Sequence, residues 1–160
     1  MTLEPVILPQ GGFAADFMLG RLAKWLRVIG QDVIYGRHLT GWGLIHAARA
    51  EKRLILTRDR GLKKKQPPPL LFIESNDYRE QLRQVIAACR LKPDERIFSR
   101  CLECNTILES KDKEAVKSFV PPYVLASQEK FARCPTCKRV YWAATHQEKI
   151  LEELKRLKLG

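Results

Sequence analysis

Phe13-Ala14-Ala15-Asp16-Phe17-Met18-Leu19-Gly20-Arg21-Leu22-Ala23-Lys24-Trp25-Leu26-Arg27-Val28-Ile29-Gly30 changes its hydrophobic period part-way along. Three small or apolar residues run straight into Asp16, the pattern of a short buried strand. Over residues 18–29, Met18, Leu22, Trp25, Leu26 and Ile29 fall on one helical stripe, with Arg21, Lys24 and Arg27 off it. Gly30 then stops the helix. A strand followed at once by an amphipathic helix opens an α/β fold with a parallel sheet.

The alternation continues. Asp32-Val33-Ile34-Tyr35 predicts a second strand, and residues 44–51 a helix with Leu44, Ile45, Ala47 and Ala48 inward. Arg53-Leu54-Ile55-Leu56-Thr57 predicts a third strand, running directly into Arg58-Asp59-Arg60. After the loop Lys63-Lys64-Lys65-Gln66-Pro67-Pro68-Pro69, Leu70-Leu71-Phe72-Ile73 is a fourth strand. A helix over residues 79–89 then turns Leu82, Val85, Ile86 and Cys89 inward. Around Lys92-Pro93-Asp94-Glu95 the pattern breaks, dividing the chain into an α/β domain, residues 1–92, and a second unit, residues 93–160. That unit closes with a basic amphipathic helix over residues 147–159, where Ile150, Leu151, Leu154 and Leu157 recur at helical spacing.

Cys101-x-x-Cys104 and Cys134-x-x-Cys137 are two knuckles separated by 29 residues. Two tight turns of this kind deliver four thiolates to a tetrahedral Zn²⁺ and leave no open position, so the metal is structural. It would staple a segment too short to bury a core of its own. The competing reading, two redox pairs, lacks the strand-then-helix context of such motifs. Cys89 reads as a buried apolar residue rather than a fifth ligand. Around the knuckles stand Arg100, Arg133, Lys138, Arg139, Tyr141 and Trp142, suited to nucleic acid, with the aromatics suited equally to a small core; His146 suits either a phosphate contact or a cap for the last helix.

In 160 residues, 29 Lys and Arg against 18 Asp and Glu leave a net charge of +11. The sequence pI is about 9.7. With 45% hydrophobic residues the chain is not a disordered basic tail. No apolar run approaches the ~20 residues of a membrane span. Met1-Thr2-Leu3-Glu4-Pro5 lacks the layout of a signal peptide, so a cytoplasmic protein with a polyanionic partner is expected.

In a parallel sheet, functional groups gather beyond the carboxyl ends of the strands. Asp16 and Asp59 each follow a strand, so they can converge although 43 positions separate them. Two such carboxylates begin a Mg²⁺ or Mn²⁺ site for phosphodiester hydrolysis. An Asp after a strand also serves as a helix N-cap, which is the plainer use of Asp16. Eight Lys and Arg between Arg49 and Lys65 flank this edge, against Glu51 and Asp59. Arg58, Arg60, Lys63, Lys64 and Lys65 are placed to hold phosphates there, with Arg21 and Lys24 on the other side; such a run is otherwise a solvated face.

The residues 13–27 quoted above, Ile55-Leu56-Thr57-Arg58-Asp59-Arg60, and the two knuckles with Val140-Tyr141-Trp142 resemble the Mut-7 C-terminal RNase domain family. The resemblance covers about residues 12–150. It implies a PIN-like three-layer α/β/α fold with an appended zinc ribbon, and a metal-dependent ribonuclease. Asp16 and Asp59 fall on acidic positions of the family, and Arg21 on a basic one. One departure stands out. Where the family carries a further acid at the start of the second helix, this chain has Thr40-Gly41-Trp42-Gly43, and no carboxylate lies between Asp32 and Glu51. Two carboxylates still suffice for one hydrated Mg²⁺. Asp77 and Glu51 are candidate substitutes, and Trp42 suits either base stacking or a core.

The expected function is therefore an RNase with Asp16 and Asp59 as catalytic metal ligands, Zn²⁺ in the ribbon, and RNA as partner. The ribosome and tRNA are among the RNA classes open, and no membrane is expected. The alternative is an RNA- or ribosome-binding module whose metal site has decayed. A third use of the ribbon and last helix is recruitment of a protein partner.

Overall fold

The computed structural model describes residues 5–93, 96–143 and 145–157. Asp94 and Glu95, at the expected domain boundary, and Leu159 of the expected last helix lie outside the described residues.

Four parallel strands form the central sheet: β1 (Phe13–Ala15), β2 (Val33–Ile34), β3 (Leu54–Thr57) and β4 (Leu70–Phe72), in the order β2-β1-β3-β4. Helices α1 (Gly20–Val28), α2 (Gly41–Glu51) and α3 (Tyr78–Cys89) connect or follow them, with a 3₁₀ segment Arg60–Lys65 between β3 and β4. Successive strand residues point to opposite faces. Phe13, Ala15, Val33, Leu54 and Leu56 enter one core with α1 and α3. Ala14, Ile34 and Ile55 enter a second with α2 and Leu62. Burial on both faces is why these strands read as continuous apolar runs, and it makes the unit a three-layer α/β/α arrangement.

Two details of α1 differ from its helical stripe. Met18 lies in a 3₁₀ turn, Phe17–Leu19, and is exposed, while Leu19 takes the buried place. Arg27, expected on the polar face, is buried. Its guanidinium donates to the Val33 carbonyl at 2.9 and 3.1 Å and to the Leu102 carbonyl at 2.7 Å, so desolvation is offset by fixed acceptors. Gly30 ends α1 as expected. At φ +85° its N–H donates to the Arg27 carbonyl, and the Gln31 N–H donates to the Leu26 carbonyl.

The second unit contains an antiparallel sheet, β5 (Glu109–Lys111), β6 (Phe131–Arg133) and β7 (Val140–Trp142), in sequential order. Two short helices, α4 (Lys113–Val116) and α5 (Pro122–Ser127), place Val116 and Val124 on Phe131 in a small third core. The last helix, α6 (Thr145–Arg156), returns to the α/β unit. Leu154 and Leu157 are buried in the α1–α3 core, while Leu151 stays exposed. Glu153 accepts from the Tyr78 hydroxyl at 3.2 Å and pairs with Arg79. Among the described residues no helix is long and apolar enough to cross a membrane.

Candidate active site and metal centre

β1 leads through α1 to β2 on one side, and β3 lies on the other, so the strand order reverses between β1 and β3. Ligands bind beyond the strand ends at such a switch point. Asp16 and Asp59 both leave the sheet there. The Thr57 hydroxyl, at the end of β3, donates to Asp16 Oδ2 at 2.7 Å and accepts the Asp59 N–H at 2.9 Å. Asp16 makes no capping bond to the helix that follows it. Its Oδ1 is buried with no hydrogen-bond partner among the described residues. Burial pushes the Asp16 carboxyl above its ordinary value against the Thr57 hydrogen bond, and the Asp59 charge adds to the rise. Asp59 is half-buried and caps the 3₁₀ segment through a 2.8 Å bond from the Gly61 N–H.

A buried, unpaired carboxylate oxygen beside a second carboxylate is costly unless a cation or proton joins it. The donor set, two Asp oxygens near a Thr hydroxyl, fits one hydrated hard cation. Neither expected substitute completes a set for two ions. Asp77 caps α3 through the Arg79 N–H at 2.8 Å, and Glu51 pairs with Arg53 at 2.6 Å. Among the described residues the cysteine quartet is the one group of three or more metal-binding side chains.

The cations divide. Arg21 lies over the Tyr78 ring at 3.9 Å. Arg60 and Lys63, three apart and therefore eclipsed on a 3₁₀ helix, both approach the Phe72 ring at 5.6 Å. Lys64 is exposed and Lys65 half-buried. Arg58 instead turns back to donate to the Ile73 carbonyl at 3.0 Å, and Lys24 pairs with Glu103 at 3.2 Å. Exposed Phe17, Met18 and Trp42 follow closely on Asp16 and Thr40 in sequence. The helical stripe hid Met18, and only the short 3₁₀ turn reveals it.

The four cysteine sulfurs lie within 4.8 Å of one another. Cys101 Sγ and Cys137 Sγ are 3.7 Å apart. Zn–S bonds of about 2.3 Å in a tetrahedron require about 3.8 Å, so the quartet can hold such a metal ion. The knuckles are built alike. The Cys104 N–H points at Cys101 Sγ and the Cys137 N–H at Cys134 Sγ, each at 3.4 Å. The residue after each second cysteine, Asn105 or Lys138, takes φ near +67° to reverse the chain. Burial would raise the Cys134 thiol, but the N–H groups of Cys137 and Thr136 and the neighbouring thiols bring it down to about 7. The Cys104 thiol, hydrogen-bonded to Cys137 and crowded by the other sulfurs, is pushed up to about 12. Four thiolates this close need a cation between them. Cys89 stands apart, packed against the α1–α3 core, and burial raises its thiol to about 11.

Tyr141 supports the knuckle, its hydroxyl 3.1 Å from Cys101 Sγ. Trp142 is half-buried against the third core, His146 is exposed, and Arg139 is exposed on the second knuckle. The first knuckle is moored at the edge where the strands begin. Asn105 Oδ1 accepts the Val33 N–H at 3.0 Å, and its amide donates to Asp32 Oδ1 at 2.7 Å. Arg100 donates to the Gly30 carbonyl. Asp16 and Asp59 occupy the opposite edge, so Arg139 and Arg21 belong to different ends of the sheet.

No curated protein and no solved structure matches the chain. The model of the Mut7-C RNAse domain family matches residues 11–154, spanning both the acidic edge and the cysteine quartet. The chain belongs to the Mut7-C RNAse domain family.

Proposed function

We propose that the protein is a metal-dependent ribonuclease of PIN-like type acting at the edge that carries Asp16 and Asp59. The observation that carries this reading is the unpartnered, buried Asp16 Oδ1, held beside Asp59 through Thr57. Asp16 and Asp59 would hold one Mg²⁺ or Mn²⁺. Bound there, such an ion supplies a polarised phosphodiester and a more acidic water. Thr57 orients Asp16 and, through the Asp59 N–H, the start of the 3₁₀ segment. Arg21 on one flank and Arg60, Lys63, Lys64 and Lys65 on the other hold the phosphates of an RNA strand. Zn²⁺ in the quartet serves folding, with Arg139 a nucleic-acid contact of the ribbon.

The test is incubation of zinc-loaded protein with single-stranded RNA and Mn²⁺, alongside Asp16→Asn and Asp59→Asn. Cleavage by the wild type alone supports the reading. Cleavage unchanged in both variants removes it. Salt-sensitive binding without metal-dependent turnover supports the second reading, an RNA- or ribosome-binding module, which the complete enclosure of Asp16 favours.

A further inference from the structure

Lys65 differs from its neighbours in the lysine run. Lys63 and Lys64 are exposed, but Lys65 is half-buried. On a 3₁₀ segment, positions three apart eclipse, so Leu62 and Lys65 share a face. Leu62 is buried in the α2 core. Just beyond, the Gln66 carbonyl accepts from Arg49 of α2 at 2.5 Å, pinning the end of the segment to that helix. Lys65 is thereby carried to the start of α2. Its Nζ lies 5.5 Å from the centre of the Trp42 ring. A Cβ placed on Gly41 would meet that same Nζ at 3.5 Å.

Trp42 is 52% exposed and belongs to none of the three cores. One edge leans on His46, ring centres 6.1 Å apart. Thr40, two residues before it, makes no capping bond to α2, and the Phe17 N–H, directly after Asp16, donates to the Leu39 carbonyl at 3.1 Å, which brings the approach to α2 beside Asp16. An exposed indole, a positioned ammonium and the acidic pair therefore stand along one edge.

We propose that Trp42 and Lys65 form a nucleotide subsite beside Asp16 and Asp59, the indole stacking an unpaired base and the ammonium taking the adjoining phosphate. In the free protein Lys65 rests over the indole. An incoming nucleotide replaces that cation–π contact with base stacking on the ring and an ion pair from the freed ammonium. The 3₁₀ segment limits how far Lys65 moves. Because the subsite rests on the reading of this edge as an RNA site, its test separates binding from turnover.

The probe is a fluorescein-labelled single-stranded oligouridylate and a copy with one central abasic position, titrated into zinc-loaded protein without added Mg²⁺ or Mn²⁺. Trp42→Ala is expected to weaken binding about tenfold, the size of one lost base stack. The abasic copy should bind less tightly to the wild type and equally to both proteins. Lys65→Met, which keeps the stem, should lower the salt dependence of affinity by about 0.7 in the log–log slope. Lys117→Met, exposed just after α4, serves as the comparison and should leave that slope unchanged. Equal affinity of wild type and Trp42→Ala, with both folded by circular dichroism, overturns the subsite and leaves the nuclease reading standing. Binding with the expected dependence but no cleavage in Mn²⁺ overturns the nuclease reading alone. Failure of the wild type to bind any strand overturns both, as does a Trp42 contact saturated by a protein partner and indifferent to RNA.

Discussion

Thr57 Oγ1 reaches Asp16 Oδ2 at 2.7 Å across 41 residues of sequence, from the end of one central strand to the end of its neighbour. The same oxygen accepts the Asp59 N–H, so one hydroxyl sets both carboxylates. Thr57→Val keeps the shape and removes the bond, leaving Asp16 and the Asp59 N–H without this partner. The expected loss of stability is about 1–3 kcal/mol, recovered largely by Thr57→Ser. Urea unfolding of the three proteins measures it; a Val variant as stable as the wild type would show that the hydroxyl contributes nothing.

Asp16→Asn should stabilise the metal-free protein. The folded carboxyl lies above its ordinary value, chiefly because of burial. Between the unfolded and folded values the native state holds the extra proton, so stability falls as pH rises through that interval and stays lower above it. The amide carries no such penalty. At pH 7 the variant should melt higher, by a few degrees on the order expected for small stability gains. Added Mn²⁺ should raise the melting temperature of the wild type and leave the variant unmoved. Identical responses in the two would place the ion elsewhere.

Removing the quartet's metal should loosen the edge strand β2. The Val33 N–H has Asn105 as its acceptor, and Asn105 directly follows Cys104. Once the knuckle opens, this donor and the buried Arg27 guanidinium lose partners at the same place. Amide exchange at Val33 is expected to accelerate on chelation by at least tenfold, while Leu56 in β3 changes less. Equal protection before and after chelation would mean the knuckle is only an appendage.

Asp32 makes part of the fold acid-sensitive. Burial works to raise its carboxyl, but hydrogen bonds from Arg53 and Asn105, both at 2.7 Å, win and hold it below the usual value. Its contribution is present above the unfolded value near 3.8 and is lost as pH falls through the lower folded one. Asp32→Asn should cost on the order of 1 kcal/mol at pH 7, a figure reduced by solvent screening at this half-exposed group. The difference from wild type should narrow below pH 4, in denaturant curves taken across that range.

Restoring an acid at the start of α2 should not create a second metal site. Gly41 has φ +51°, a conformation L side chains adopt with strain, and a side chain there would face Lys65 Nζ. Gly41→Asp is expected to destabilise by about 1 kcal/mol and to pair with Lys65. Calorimetry with Mn²⁺ should give an unchanged number of ions bound, and RNA affinity should fall. A second ion in the titration would contradict this.

Much of the site was legible in local pattern. Strand ends running into Asp16 and Asp59 placed both acids at one sheet edge, because parallel strands joined by helices must end together. Cysteine spacing alone indicated the quartet, since each knuckle is a turn closed within four residues. Arg27 was not legible: its helical position looks polar, and its acceptors, Val33 and Leu102, come from a strand edge and a knuckle. Nor was Lys24, which Glu103 neutralises, or Arg58, which serves the Ile73 carbonyl.

Periodicity, turn residues and ligand spacing are properties of neighbours in the chain, and from them follow the α/β layers, the metal knuckles and two acids after strands. Which charges remain free for a ligand depends on partners distant in sequence. Packing of Leu154 and Leu157 onto the α1–α3 core sets where the last helix lies. Docking of the knuckle by Asn105 puts the ribbon at the far end from the acids. Lys65 emerged from a run of three look-alike lysines only because Leu62 and the Arg49–Gln66 bond turn that one toward Trp42. Desolvation and fixed hydrogen-bond geometry arise when distant segments meet, and they separated the cations bound within the fold from those left exposed.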